Sequence, residues 1–202
     1  AGIAIYDGRE IIRMRAEGKL AALEALVRSS PPDGTVGIAH TRWATHGPPS
    51  ERNAHPHQVG SVVLVHNGII ENYASLRDEL FAQGVRFESD TDTEIVAHLI
   101  ARSRADGRSL VDAVREATEA VEGSYALVVL DAEAPDQIVV ARAASPLVLG
   151  VGDGEMFAAS DVPAIMMHTR DVIFLEDGDI AVLERSGYQI TDGDGHDVER
   201  PI

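Results

Sequence analysis

From Gly123 onward the chain is a succession of short apolar runs: Tyr125–Leu130, Gln137–Ala141, Leu147–Val151, Met156–Ala159, Val172–Leu175, Ile180–Leu183 and Gly187–Thr191. Glycine, proline, aspartate and serine punctuate them, so each run reads as a strand, and no helical pattern intervenes to carry parallel crossovers. This β meander excludes an all-helical fold and argues against a doubly wound parallel sheet. Asp177-Gly178, between two of the runs, predicts a hairpin.

Upstream, the apolar runs Gly2–Tyr6, Gly37–His40 and Ser61–Val65 interleave with helical patterns. Lys19–Ser29 places Leu20, Leu23 and Leu26 on one face, and Tyr73–Gln83 carries Leu76 and Leu80 and stops at Gly84. Asp92–Arg104 presents Ile95, Val96, Leu99 and Ile100, and Ser109–Glu122 presents Leu110, Val111, Val114, Ala117 and Val121. Thr91-x-x-Glu94 predicts a capping box at the start of the third helix. Many antiparallel strands with few, paired helices predict an α+β fold, two mainly antiparallel sheets covered by helices, in one domain over residues 1–202.

The chain is 45% apolar, which excludes disorder, and its net charge of −16 disfavours nucleic acid and anionic membranes as partners. The longest apolar stretch, Ala143–Gly152, is only about ten residues, too short to span a bilayer. Ala1–Gly8 has no basic leader pattern. Cysteine is absent, so no disulfide, thiolate metal site or cysteine nucleophile lies within these residues.

The unusual chemistry lies in four islands: HTRWATHG from His40, NAHPH from Asn53, HNGIIEN from His66 and SDTDTE from Ser89. Each is expected at a strand end or helix start, where polar groups converge without breaking a core. Arg42–Ser50 ends in Gly47-Pro48-Pro49 and reads as a loop equipped as a lid. In it Arg42 offers a planar fork for a carboxylate or phosphate, with Thr45 and His46 adding polar contacts; the plainer alternative pairs Arg42 with a surface acid and lets Trp43 pack. Asn67-Gly68 is a turn signal, yet a side-chain amide beside an open backbone N–H can also form an oxyanion hole. Asp92, in a first helical turn, either favours the helix dipole or faces a ligand's ammonium group.

Five of the eight histidines, His40, His46, His55, His57 and His66, fall within these islands. They have no helical metal-ligand spacing, so hydrogen-bonded interior histidines are favoured over a metal site. Asp192–Asp197 loosely resembles a calcium loop but lacks the sixth-position glycine and the terminal bidentate glutamate, so a hairpin is expected. An arginine for a carboxylate, an aspartate for an ammonium group and an Asn/Gly oxyanion hole together describe a site for an α-amino acid undergoing acyl chemistry.

These islands, in this order, with SPLVLGVGDGEMFAASD at 145–161 and FLEDGDIAVL at 174–183, closely resemble the glutaminase domains of the isomerizing glutamine–fructose-6-phosphate aminotransferase family. The resemblance covers essentially the whole chain and implies an N-terminal-nucleophile hydrolase fold, an αββα sandwich. It implies that Arg42, helped by Thr45 and His46, grips the glutamine α-carboxylate and that Asp92, near Gly68, holds the α-ammonium group. Asn67 and Gly68 would stabilise the oxyanion, and Trp43 would sit beside the lid at the mouth of an ammonia channel. It further implies a cytoplasmic homodimer, a sugar-isomerase domain in the same full-length enzyme, L-glutamine and L-glutamate as ligands, and no cofactor or metal.

The family's nucleophile is an N-terminal cysteine whose α-amine acts as base. Here AGIAIYDG aligns by spacing with the segment after the family's first strand and helix, so those elements are expected to be missing and these 202 residues to be inactive. Thr41, Thr45 and Ser89 carry hydroxyls but none is N-terminal. The competing expectations are a non-catalytic module that binds glutamine or glutamate, and a histidine-based metallohydrolase that would contain stoichiometric zinc.

Overall fold

The computed structural model describes every residue except Ala44 and Thr45. Among them, twelve strands and four α-helices follow the order β1 (Gly2–Tyr6), β2 (Ile11–Arg15), α1 (Leu20–Ser29), β3 (Val36–His40), β4 (His57–Val59), β5 (Val62–Ile70), α2 (Tyr73–Ala82), α3 (Asp92–Ala105), α4 (Leu110–Ala120), β6 (Gly123–Asp131), β7 (Gln137–Ala143), β8 (Val148–Val151), β9 (Met156–Ala159), β10 (Asp171–Phe174), β11 (Ile180–Glu184) and β12 (Gly187–Thr191).

Six strands form one antiparallel sheet in the order β12-β11-β7-β6-β5-β4, and two smaller antiparallel sheets, β2-β1-β3 and β10-β8-β9, lie against one of its faces. The alternation of side chains along the central strands decides which residue meets which layer. Val62 and Leu64 of β5, Leu127 and Val129 of β6, and Val139 and Ala141 of β7 face Ile95, Val96, Ile100, Ala113 and Val114 of α3 and α4. The intervening Ala126, Val140, Ala181 and Leu183 meet Leu149 and Ile173 of the β8–β10 sheet, while Val63, Val65 and Leu130 meet Ala4, Ile11 and Ile38 of the β1–β3 sheet. Helix α1 covers β2 and buries Leu23. The layers are therefore helix, sheet, sheet, helix, as the strand pattern and the resemblance both implied. No helix among the described residues is long and apolar enough to cross a membrane.

Three local expectations fail. The capping box at α3 is not made: Thr91 supplies no cap bond, and the Glu94 carboxylate instead accepts from the backbone N–H of Glu88 and of Ser89, both at 2.6 Å. Asp177-Gly178 is not a hairpin, because β10 pairs with β8 and β11 with β7 and β12. Its turn docks on the end of β7, where the Gly178 N–H donates to the Arg142 carbonyl and the Ala144 N–H to the Asp177 carboxylate. Asn67-Gly68 is not a turn either. Both residues lie inside β5, in register with Ala126 and Tyr125 of β6. The strands β2 and β4 carry no clear apolar alternation, so nothing in the sequence pattern signals them. The Asp192–Asp197 stretch does fold back, with the Asp192 N–H donating to the His196 carbonyl and Thr191 bridging to Asp197.

Between the end strand β3 of one small sheet and the end strand β9 of the other lies a cleft of about 350 Å³. Ala39, His40 and Thr41 form one wall, Ala158 to Ser160 the other, and Val65, Asn67, Ala126 and Val128 of the central sheet form the floor.

Candidate functional site

The four polar islands converge where β5 ends and α3 begins. Asn53 ties two of them to the loop that follows the first: its Nδ2 donates to the Pro48 carbonyl (3.0 Å) and the Asp90 carboxylate (3.3 Å), and its Oδ1 accepts from the Asp90 N–H (3.0 Å). Arg42 folds back on its own loop, donating to the carbonyls of His46, Gly47 (3.1 Å) and Pro48 (3.3 Å). Its guanidinium thus organises the loop rather than pairing with a surface acid. Trp43 is 90% exposed and takes no part in the cluster. Thr45 lies outside the described residues.

Asp92 is 3% exposed. Its Oδ2 accepts from the Ile70 N–H at 2.9 Å and its Oδ1 from the Thr93 N–H at 3.1 Å. The nearest basic side chains among the described residues are His46, whose Nδ1 is 3.8 Å from Oδ2, and His66, whose Nδ1 is 4.0 Å away. Neither is within hydrogen-bonding distance. The helix N-terminus and two N–H donors tolerate the charge, but a buried carboxylate without a close cation retains a strong affinity for one. His46 covers it, edge-on to Tyr73 with ring centroids 4.6 Å apart.

Asn67 and Gly68 are adjacent on β5. The Asn67 side chain lies at the floor of the cleft, and its Oδ1 faces His40 Nε2 at 2.7 Å. Gly68 has φ +131, and a Cβ there would collide with the Ser124 carbonyl across the ladder. Only glycine lets the two strands approach this closely at that backbone angle. Gly68→Ala is expected to cost about 2–4 kcal/mol, seen as a lower urea midpoint at unchanged slope; an unaltered midpoint would mean that Ser124 yields without penalty.

Among the residues singled out from sequence, the fold gathers Asn67, Gly68, His46 and Asp92 and attaches Arg42 through its loop, leaving Trp43 outside. What sequence did not reveal is the polar scaffold beneath them. The His66 N–H donates to His55 Nδ1 at 3.3 Å, so the His55 proton sits on Nε2 and donates to Thr93 Oγ1 at 3.2 Å. Thr93 in turn donates to His66 Nδ1 at 3.1 Å, and His66 Nε2 donates to the Ser124 carbonyl at 3.4 Å. A second chain runs from His57 Nε2 to Thr91 Oγ1 (3.0 Å), to Ser89 Oγ (3.0 Å) and to the Glu94 carboxylate (2.5 Å). Every step has a defined direction because each chain ends on an acceptor. The only sequence signal was the alternation of His, Thr and Ser in NAHPH and SDTDTE.

These histidines are interior hydrogen-bonding groups, as favoured from sequence, and burial lowers the pKa of each of His40, His55, His57 and His66. Ser89 is buried and donates to Glu94, which removes it as a nucleophile. The one metal-like group among the described residues is Asp192, Asp194 and His196 on the surface hairpin, where Asp192 already accepts the His196 N–H at 2.9 Å.

A family model described as a glutamine amidotransferase domain matches residues 40–167. The glutamine–fructose-6-phosphate aminotransferase [isomerizing] of Rhizobium meliloti (strain 1021) is 52% identical over 201 residues, covering 100% of this chain and 33% of that protein. The enzyme of the same name from Thermus thermophilus is 51% identical over 203 residues, covering 99% and 33%. The chain thus spans about a third of the length of these curated relatives. Among solved structures, glutamine phosphoribosylpyrophosphate amidotransferase from B. subtilis, complexed with ADP and GMP, superimposes with a TM-score of 0.81 at 25% identity, over 95% of this chain and 42% of that one.

Proposed function

This chain belongs to the glutamine amidotransferase domain family, and on that premise we propose that it is the glutamine-hydrolysing part of a glutamine–fructose-6-phosphate aminotransferase. It would act in the cytoplasm, within a homodimer, and pass ammonia to a sugar-isomerase domain of the same enzyme.

The observation that supports this most is Asp92, a buried carboxylate with no cation closer than two histidines at 3.8 and 4.0 Å among the described residues. An α-ammonium group placed there gains a charge-assisted bond at little further desolvation cost. Arg42 would exchange its loop carbonyls for the α-carboxylate, with His46 and Thr45 beside it, and Trp43 would move with the loop. The side-chain amide would then extend along β5, where Asn67 Nδ2 and the Gly68 N–H stabilise the oxyanion.

The attacking thiolate would come from a strand outside these 202 residues, which contain no cysteine. The cleft between β3 and β9 supports this: it is flanked by two end strands and has Asn67 on its floor. The thiolate adds to the amide carbon, the amide nitrogen takes up the proton that the thiol gave to its base and leaves as ammonia, and water hydrolyses the thioester to glutamate and frees the thiol again.

Titrating the lone Trp43 emission with L-glutamate and D-glutamate tests the pocket. Saturable binding of the L form only is expected, weakened about a hundredfold by Asp92→Asn through the lost charge pair. Equal binding of both forms, or no effect of Asp92→Asn, would overturn the assignment. The competing reading is a glutamine-binding module without chemistry. Stereospecific glutamate release from L-glutamine would eliminate it.

A further inference from the structure

We propose that His40 is a positioning residue for the oxyanion hole, fixing which end of the Asn67 amide is offered to the ligand. This rests on the function proposed above. An asparagine amide on a strand can present either oxygen or nitrogen, because its terminal torsion is broad and nearly two-fold. Only the Nδ2 donor is useful to an oxyanion.

His40 decides between the two. Its Nε2 is 2.7 Å from Asn67 Oδ1, while its Nδ1 is buried and has no hydrogen-bond partner among the described residues. With the single proton of the neutral ring on Nε2, His40 donates to Oδ1 and the buried Nδ1 holds only a lone pair. With the proton on Nδ1, a buried N–H goes unpaired and Asn67 must turn its Nδ2 back toward His40. An unpaired buried donor is the costlier outcome, so the first arrangement prevails and Asn67 Nδ2 is left for the ligand.

The ring itself is held in place. It stacks on His55 with centroids 4.2 Å apart and planes 22° from parallel. His55 cannot turn, because its two nitrogens are engaged by the His66 N–H and Thr93 Oγ1. Burial keeps His40 neutral, as the tautomer choice requires. Thus the polar chain behind the site fixes the His55 ring, and that ring braces the histidine facing the one amide whose orientation matters for chemistry.

The test compares L-glutamate with L-norvaline, which shares the α-amino and α-carboxylate groups but lacks the terminal carboxylate that would occupy the oxyanion hole. In the intact chain L-glutamate is expected to bind more tightly than L-norvaline. His40→Phe, which retains a stacking ring without a donor, should reduce that preference by about tenfold or more and leave L-norvaline affinity unchanged. His40→Gln, whose amide can donate to Oδ1, should restore it. A preference that survives in His40→Phe would overturn the inference, and so would an equal loss for both ligands, which is the mark of a merely structural role. If the unaltered chain binds neither ligand, the proposed function itself falls and this inference with it.

Discussion

Glu94→Ala is expected to cost the fold about 3–5 kcal/mol, a large part of the stability of a domain this size. Glu94 is 3% exposed and sits in the first turn of α3, where its carboxylate collects three donors: the N–H groups of Glu88 and Ser89 at 2.6 Å and the Ser89 hydroxyl at 2.5 Å. Burial would raise this carboxyl, but His98 facing it at 3.7 Å, the Ser89 hydroxyl and the two N–H groups hold it at about 2. Alanine strands those buried donors and also releases the chain through Ser89 and Thr91 to His57. Because this segment positions Asp92, the variant should lose both urea resistance and glutamate binding. Glu94→Gln keeps the shape and one acceptor oxygen and should lose roughly half as much. A wild-type midpoint for Glu94→Ala would show that the Ser89–Asp90 turn is held by other contacts.

Acid is the second strong lever. His57 is held at about 3 by burial, against the opposing pull of Glu94. In the unfolded chain it takes up a proton near 6.5. Between those values the unfolded state binds more protons, so stability is fully present above about pH 6.5 and is lost as pH falls. For His57 alone the loss is about 2 kcal/mol between pH 7 and pH 5, and it approaches about 5 kcal/mol below pH 3. His55, lowered well below its usual value by burial and by His40, His57 and His66, acts with the same sign. So do His40 and His66, each lowered chiefly by burial. Urea midpoints measured at pH 7 and pH 5 should therefore separate widely. His57→Gln, which keeps a donor for Thr91, should remove about 2 kcal/mol of that difference. A midpoint that does not move between the two pH values would mean that the buried rings find water or partners when charged.

Much of the architecture was legible because it is written locally. The strands from Gly123 to Thr191 carry their own apolar runs and turn residues, and all four helices begin within a residue of their expected start. The errors share a cause: a local signal was overridden by a partner outside the motif that carried it. Asn67-Gly68 suits a turn, but Ala126 and Tyr125 of β6 pair with it and Ile70, fully buried, extends the strand. Thr91 and Glu94 suit a capping box, but His57 takes the threonine and the Glu88–Ser89 backbone takes the glutamate. Asp177-Gly178 suits a hairpin, but Arg142 and Ala144 hold it at the junction of two sheets.

The candidate site divides in the same way. Its ingredients could be read from residue types alone: Arg42, His46, Asn67, Gly68 and Asp92 have chemistry specific enough to suggest an α-amino acid before any contact was known. The folded chain was needed to show that Asp92 is buried with no close cation among the described residues, that Arg42 is folded onto its own loop, and that His40 faces the Asn67 amide. Residue identity fixes what a group can donate, accept or charge, whereas burial and the direction of a hydrogen bond depend on groups brought from elsewhere in the chain.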